Sequence, residues 1–345
     1  GFYCYSGVKY AVYILACSLI TYLIGRKLGK IKEQQKEKLK TFENPEQKKE
    51  FKERTGKIMR RFLALGVVLV LLQLIAVKYT GFIIENVNSV LTSFGKGVIS
   101  VKDIIAPLGC SYYTFTMISY LADIYRGKIK PQKNYLKYLL FVSYFPQIIQ
   151  GPIPRYGELS DQFFKGYKFS FPAVRDGIIR VIWGVFKKMV VAEPLGVFVA
   201  TAYGDYADKS SLALMLAAVF YSIQIYADFS GYTDIVSGVS ECFGIKLPKN
   251  FERPFFARTI PEFWRRWHIS LSSWFREYVF YALSSSKALL KLNRNARKVF
   301  GNGVGRVVSI SIPVLSVWIL TGFWHGASWN MICWGLFHGV LIMLS

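Results

Sequence analysis

Residues 62–84 read FLALGVVLVLLQLIAVKYTGFII, a run that is long and apolar enough to cross a lipid bilayer as one helix. A span needs about 20 predominantly apolar residues, because a helix rises about 1.5 Å per residue. Further apolar blocks occur at residues 8–25, 104–125, 136–150, 177–203, 211–227, 307–324 and 327–345. The sequence therefore predicts an all-α, polytopic integral membrane protein with about eight membrane-embedded segments.

Three segments contain residues that a regular span avoids. The block at 177–203 is predicted to break at Pro194. The block at 104–125 carries proline, glycine and many hydroxyls, which predicts that it lies in the protein interior or beside a cavity. Residues 144–156, YFPQIIQGPIPRY, contain three prolines and predict an unwound, re-entrant segment, in which Gln150 is a candidate tunnel residue.

The composition excludes several other classes of protein. Of the 345 residues, 52% are hydrophobic and 19% are charged. Soluble domains average about 45–50% apolar and about 25% charged residues. This balance excludes a disordered chain and a small disulfide-rich scaffold. The five cysteines, Cys4 among them, have no metal-like spacing, and we interpret them as small buried side chains.

The formal net charge of +23 is concentrated in stretches between the apolar blocks. Residues 26–61 hold 14 Lys or Arg and 6 Asp or Glu, whereas the basic stretches 126–137 and 284–306 hold no acid. Basic loops between spans are typical of the cytoplasmic side of a membrane. We therefore expect a multi-pass protein of the plasma membrane with its basic loops in the cytoplasm, and no nucleic-acid partner. We treat residues 1–345 as a single membrane domain, and we expect it to be trimmed at both ends, since it begins at Gly1 and ends inside an apolar run.

The stretch from Pro261 to Leu283 predicts an amphipathic helix at a membrane face, with three Trp and three Arg in 13 residues. At 100° per residue its apolar arc consists of Trp264, Trp267, Leu271, Trp274, Phe275, Tyr278 and Ala282. His268 falls inside this arc and Arg265 outside it. A histidine there is either a satisfied core residue or a functional group, and both alternatives stay open.

A second candidate site is TGFWHGASWN, residues 321–330, where His325 follows a span and Trp324 precedes it. An ionisable group at membrane depth is costly and usually faces a cavity or a pathway. Glycines in this segment leave room for another group to approach. If one helix carries both, His338 lies about 20 Å further along the axis, and we interpret it as structural.

Residues 223–234, IQIYADFSGYTD, place Asp228 and Ser230 beside a span. These side chains either line a polar cavity or accompany a helix break at Gly231. No serine-hydrolase elbow, phosphate loop or metal-binding motif occurs in the sequence, so serine hydrolases, ATPases and zinc enzymes have no support. General-base chemistry by a histidine is the alternative that the residues favour.

Five motifs together resemble one family. They are FWRRWHISLSSWFREYVFYAL at 263–283, FWHGASWNMICWGLFHG at 323–339, YLADIYRGKIKPQKN at 120–134, SIQIYADFSGYTDI at 222–235 and LPKNFERPF at 247–255, together with the proline-rich segment. The sequence is similar to the membrane-bound O-acyltransferases, in the bacterial branch that contains the alginate O-acetylase and the D-alanyl-lipoteichoic acid transferase. The resemblance covers nearly the whole chain.

The resemblance implies a multi-helix fold with a transmembrane tunnel and re-entrant or interfacial helices. An acyl thioester, either acyl-CoA or an acyl carrier protein, enters from the cytoplasm, and no bound cofactor or metal is implied. His325 matches the family's invariant histidine, the general base, and His268 matches its second active-site position. We expect the tunnel and the substrate-binding surface to include Trp264, Arg265, Trp267, Trp324, Gln150, Asp228 and Ser230.

The resemblance also implies the partners. The acceptor is a hydroxyl of a cell-envelope polysaccharide, reached directly or through an extracytoplasmic acyltransferase partner. The segment YALSSSKALLKLNRNARK at 281–298 looks more like acetylases, so we favour acetyl transfer over D-alanyl transfer to teichoic acid. A non-catalytic acyl or glycan transporter and a membrane scaffold are the competing classes, because intramembrane polar groups and broken helices suit a transporter as well.

Overall fold

The computed structural model describes residues 8–100 and 107–345. Every regular element within these residues is a helix, which confirms the predicted all-α class. Cys4 and the first three residues of the predicted block 104–125 lie outside the described part of the chain. The chain divides into two compact units. The first unit contains the described residues up to 143, 254–265 and 271–345, and the second contains 144–253 and 266–270.

Within residues 8–100 and 107–345, four helices are long and apolar enough to cross a membrane. They are Ala11–Thr41, Pro45–Ser93, Ser211–Cys242 and Lys287–His325. They coincide with four of the predicted apolar blocks, as expected of a membrane protein. The other blocks form shorter or interrupted helices, so the total of eight segments and the orientation of the loops stay predictions.

The basic stretch 26–61 forms a helical hairpin rather than an open loop. Its two arms belong to α1 (Val8–Thr41) and α2 (Pro45–Leu74). The Asn44 side chain accepts a hydrogen bond from the backbone N–H of Glu46 and thereby caps α2. A π-helical turn, Ile75–Tyr79, then connects α2 to α3 (Thr80–Ser93) without a break in direction.

The core of the first unit is α4 (Cys110–Arg126), of which 12 of 17 residues are buried. This burial confirms that the described part of the polar block 104–125 lies in the protein interior. Gly66 allows α2 to pack closely, because a Cβ there would lie 2.6 Å from the Leu121 side chain. The next helix, α5 (Tyr135–Val142), contacts α1 through a buried hydrogen bond of 2.8 Å between the hydroxyls of Tyr138 and Thr21.

The second unit consists of the proline-rich segment and four helices: α6 (Tyr156–Phe164), α7 (Phe171–Val185), α8 (Glu193–Gly204) and α9 (Ser211–Cys242). Apart from one 3-10 turn, Phe145–Gln147, the segment before α6 is not helical, as predicted.

The predicted break at Pro194 is wrong, and so is the alternative of a helix break at Gly231. A π-helical turn, Phe186–Ala192, joins α7 to α8 with helical backbone angles at Ala192 and Glu193, and Pro194 lies directly after this turn without interrupting the helical run. α9 is continuous through Gly231. The missing side chain serves close packing instead, because a Cβ at Gly231 would lie 2.8 Å from the carbonyl oxygen of Gly184 in α7.

The predicted continuous helix from Pro261 to Leu283 is also wrong. The stretch forms α10 (Ile260–Arg266), α11 (Ile269–Phe275), a π-helical turn (Arg276–Phe280) and α12 (Tyr281–Ser284). Two longer helices follow, α13 (Lys287–His325) and α14 (Trp329–Leu344), and α13 is kinked at Gly301, whose φ is +84°.

Candidate active site

His325 is the last residue of α13 and lies at a sharp corner between two helices. After it, Gly326 and Ala327 lead directly to Ser328, whose side chain accepts from the N–H of Met331 and caps α14. We call residues 321–330 the His325 corner. His325 is an exposed residue of the first unit, so a reactant can reach this corner.

The glycines of the His325 corner make room for α14. A Cβ at Gly322 would lie 2.1 Å from the carbonyl oxygen of Met331, and one at Gly326 would lie 2.9 Å from Met331 Cγ. The expectation that these glycines leave space for an approaching group is therefore wrong for Gly322, because the space is already filled by the α14 backbone.

An aromatic cluster surrounds His325 within the first unit. Its ring centroid lies 4.7 Å from that of Trp324 and 5.6 Å from that of Trp334. Trp334 also contacts the ring of His338 at 4.8 Å, and Trp264 contacts His338 at 5.0 Å. The two predicted tunnel residues Trp264 and Trp324 thus belong to one cluster with His325. The two histidines lie on different helices, so the predicted separation of about 20 Å along one helix axis is wrong.

Lys78 also belongs to this site, although no sequence pattern predicted it there. Lys78 lies in the π-helical turn after α2, and its Nζ donates to the backbone carbonyl of Trp324. Nζ also lies 3.4 Å from Ser111 Oγ and 5.6 Å from the centroid of the Trp324 ring. The available signal was one charged residue inside the apolar run 62–84.

His268 lies in the second unit, at the break between α10 and α11. Its φ is +46°, in the left-handed region that histidine adopts more readily than most residues other than glycine. We call residues 266–270 the His268 corner. Its side chain is buried, with 3% exposed, and its ring lies 4.7 Å from the Phe229 ring of α9.

Asn250 explains why the helix breaks at the His268 corner. The backbone carbonyl oxygen of Asn250 accepts a hydrogen bond from the N–H of Ile269 at 3.0 Å. Its side-chain Oδ1 accepts from both the N–H and the hydroxyl of Ser270, at 3.1 and 2.6 Å. The first donors of α11 are therefore satisfied from a segment nearly 20 residues earlier in the chain, as in a helix cap.

The polar residues of α9 have ion-pair and hydrogen-bond partners on the neighbouring helical segment of the second unit. Asp228 Oδ1 lies 2.6 Å from Lys188 Nζ, and Lys187 Nζ lies 3.1 Å from Ser230 Oγ and 2.5 Å from Asp234 Oδ2. These contacts give Asp228 and Ser230 a structural role. Their assignment to the tunnel stays a prediction.

The remaining predicted tunnel residues are divided between the units. Trp267, whose ring lies 5.0 Å from that of Phe251, and the half-buried Gln150 belong to the second unit. The exposed Arg265 belongs to the first. His325 and His268 also lie in different units, so their action on one substrate stays a prediction.

A cationic cleft of about 520 Å³ opens in the first unit. It is lined by Arg126, Lys128, Ser273, Arg276, Glu277, Tyr281, Ala282 and Ser285. Lys128 pairs with the Glu277 carboxylate, and Arg126 donates to the Glu277 carbonyl at 2.9 Å and lies over the Tyr278 ring at 5.1 Å. Three cations thus face one carboxylate, which leaves an excess of positive charge.

Comparison with known proteins identifies the family. Residues 128–296, which include the His268 corner, match the family model described as MBOAT, membrane-bound O-acyltransferase family. The chain is also 34% identical, over 286 residues, to the probable alginate O-acetylase AlgI of Azotobacter vinelandii. It belongs to the membrane-bound O-acyltransferase family.

The names of other relatives in this family refer to different polymers. The match to the Azotobacter protein covers 83% of this chain and 54% of the relative. The peptidoglycan O-acetyltransferase of Helicobacter pylori is 32% identical over 82% of this chain and 55% of its own length. The teichoic acid D-alanyltransferase of Bacillus subtilis is 31% identical over 70% and 59%. The chain therefore spans about half the length of the curated relatives it matches.

Proposed function

We propose that the protein is an O-acyltransferase that transfers an acyl group from a thioester donor to a hydroxyl of a cell-envelope polysaccharide, with His325 as general base. The observation that carries this proposal is the placement of His325, which is exposed at the end of a membrane-spanning helix and flanked by aromatic rings. Family membership supplies the reaction class.

In the proposed reaction, His325 removes the proton of the acceptor hydroxyl while its oxygen attacks the thioester carbonyl carbon. A C–O bond forms, the C–S bond breaks, and the thiolate leaves. A thiol has a pKa of about 8.5, so the leaving group needs little acid assistance. The proton on His325 then passes to the thiolate or to water. His268, held rigidly in its corner, is proposed to orient the donor or to stabilise the developing oxyanion.

The cationic cleft is the proposed site for the phosphate of the donor. The two candidate donors, acyl-CoA and an acyl carrier protein, both hold the thioester on a phosphate-bearing arm. Phosphate binds well to converging arginine and lysine side chains, because charge-assisted hydrogen bonds are the stronger ones. Arg126 at the cleft and Phe115 lie on the same helix, about 16 Å apart along its axis. Phe115 contacts Trp324, next to His325, at 5.3 Å between ring centroids.

Acetyl is the proposed acyl group. The alginate and peptidoglycan O-acetylases match 82–83% of this chain, whereas the D-alanyltransferase matches 70%. D-alanyl transfer to teichoic acid is the second candidate, supported by the 31% identity to the Bacillus protein. We further propose that the protein crosses the plasma membrane several times and that its basic stretches are cytoplasmic. The donor enters from the cytoplasmic side. On the other side, the acceptor is the polysaccharide itself or an extracytoplasmic acyltransferase.

The test is complementation of a deletion of the full-length gene. Cells receive the wild-type gene, His325→Gln or the control His338→Gln, and membrane levels are matched by immunoblot. Base-labile acyl groups released from the envelope are then identified by mass spectrometry. We expect acetate from wild type and from His338→Gln, and at least 100-fold less from His325→Gln. Release of D-alanine would select the second candidate, and full activity of His325→Gln would favour a transporter or scaffold.

A further inference from the structure

Lys78 is an unusual residue for its position. It is the only charged residue in the apolar run 62–84, within a helix long enough to span a membrane. A lysine in a span normally reaches the interface with its flexible chain or pairs with a carboxylate. Among the residues that the structure describes, no carboxylate forms an ion pair with Lys78, and its side chain is half-buried.

The ammonium group instead binds the backbone of the His325 corner. Nζ donates to the carbonyl oxygen of Trp324, the residue immediately before His325, and lies within 3.4 Å of Ser111 Oγ. The rings of Trp324 and Tyr79 flank it, each with its centroid 5.6 Å from Nζ. Carbonyl oxygen, hydroxyl and π faces together replace part of the hydration that the cation loses.

This contact lies at the point where α13 needs a donor. The last carbonyl groups of a helix have no partner within the helix, and this end carries the negative pole of the helix dipole. Gly326 N–H satisfies the Gly322 carbonyl at 3.2 Å. Lys78 satisfies the Trp324 carbonyl and places a positive charge against that pole.

The π-helical turn explains how Lys78 reaches this carbonyl. A π turn inserts an extra residue into a helix and rotates the side chains that follow, and such turns are frequent at functional sites. The turn Ile75–Tyr79 contains Lys78, and Tyr79 within it stacks on Phe323 with 4.3 Å between ring centroids. Two neighbouring residues of the turn therefore hold two neighbouring residues of the His325 corner.

We propose that Lys78 is a positioning residue that fixes His325 by binding the Trp324 carbonyl from the π-helical turn. This inference rests on the proposed function, because the group that it positions is the proposed base. Its consequence is that removal of the ammonium group lowers the rate of acyl transfer while the protein still folds and accumulates in the membrane.

The experiment uses the complementation strain with the full-length protein. The first variant, Lys78→Met, keeps most of the length of the side chain but has neither its charge nor its hydrogen-bond donors. The second, Lys78→Arg, keeps the charge and the donors. The matched control is Gln73→Leu, because Gln73 lies on the same helix and donates to a backbone carbonyl, that of Tyr13, at 3.2 Å. His325→Gln is run in parallel. Initial rates of ester formation, membrane levels and Tm in detergent are measured.

We expect Lys78→Met to lose at least 10-fold in rate at a wild-type membrane level and Tm. We expect Lys78→Arg to recover at least half of the wild-type rate and Gln73→Leu to stay within 2-fold of wild type. A Lys78→Met rate within 2-fold of wild type would overturn the inference, provided that His325→Gln is inactive. If His325→Gln is active, the proposed function itself has failed.

A purely structural role gives a different result. In that case Lys78→Met would lose membrane level and Tm together with activity. Lys78→Gln then decides the question, because its uncharged and shorter side chain still offers an N–H donor but holds the Trp324 carbonyl less strongly than the ammonium group does. Normal accumulation of Lys78→Gln with a rate reduced several-fold supports positioning by the ammonium group, whereas failure of both variants to accumulate overturns it.

Discussion

The His325 corner and the His268 corner look alike in sequence and differ in structure. Each places a histidine directly after a tryptophan and between two helices. His325 is exposed, with a lysine bound to the carbonyl before it. His268 is 3% exposed and has a left-handed backbone that Asn250 holds in place.

The difference favours two distinct catalytic roles for the two histidines. A general base must meet its substrate and must be free to take up and release a proton. An exposed histidine at a helix end meets that requirement. A buried ring on a backbone fixed by three hydrogen bonds is instead suited to hold one geometry, as orientation or oxyanion stabilisation requires. Both assignments remain part of the proposed function.

The largest expected effect separates these two roles. His325→Gln removes the base, and we expect at least a 100-fold loss in the initial rate of ester formation. We expect about a 10-fold loss for His268→Gln, because an amide can still occupy the buried position and donate a hydrogen bond. Rates are measured after induction in the complementation strain, at matched membrane levels. If His268→Gln is as damaging as His325→Gln, the division of roles is wrong.

The second prediction concerns stability and compares the caps of the two corners. Asn250→Ala removes an acceptor of two hydrogen bonds in a site where Asn250 is 1% exposed, and we expect a loss of about 2–3 kcal/mol in the free energy of unfolding. Ser328→Ala removes one long capping hydrogen bond of 3.4 Å, for which we expect about 0.5–1 kcal/mol.

The measurement is the Tm of each purified variant in detergent. We expect Asn250→Ala to have clearly the lower Tm and the lower membrane level, and Ser328→Ala to be close to wild type. An Asn250→Ala protein with a wild-type Tm would mean that the His268 corner is not held by this cap. The contrast between a rigid His268 corner and an exposed His325 corner would then be lost.

The two corners also differ in how far the sequence could predict them. The helical ends around His325 follow from local signals, namely an apolar block, glycine and a serine cap. The break at His268 depends on Asn250, which lies outside the stretch and has no periodic signature, so a 100° pattern extended the helix through it. The residues of the predicted arc are divided accordingly: Trp264 packs against His338 in the first unit, and Trp267 packs against Phe251 in the second.

Long-range contacts account for the other misses. Lys78 and Trp324 are separated by 246 positions in the chain, and hydropathy cannot pair them. The lone charge in 62–84 was nevertheless a usable signal, because a charge in a span is functional by default. Gly231 was a candidate helix break, whereas it packs against the backbone of α7, which only the neighbouring helix reveals.

The smallest expected effect tests whether the cationic cleft binds the thioester donor for transfer at the His325 corner. Arg276 lines the cleft, is exposed and forms no ion pair within the described part of the chain. Arg276→Glu brings a second carboxylate into the cleft. With acetyl-CoA as the probe donor and membrane vesicles as the enzyme source, we expect about a 10-fold increase in the half-saturating concentration, equivalent to about 1.4 kcal/mol. The maximal rate should stay within 2-fold, because His325 is untouched.

Lys291→Glu is the control for this last effect, since it makes the same charge reversal in α13 outside the cleft. A general attraction of an anionic donor to a basic surface would weaken both variants alike and would fade as salt shortens the screening length to about 8 Å near 0.15 M. A specific phosphate site should instead distinguish Arg276→Glu from Lys291→Glu at that ionic strength. Equal effects of the two reversals would remove the cleft from the donor site, while leaving the comparison of the two histidine corners intact.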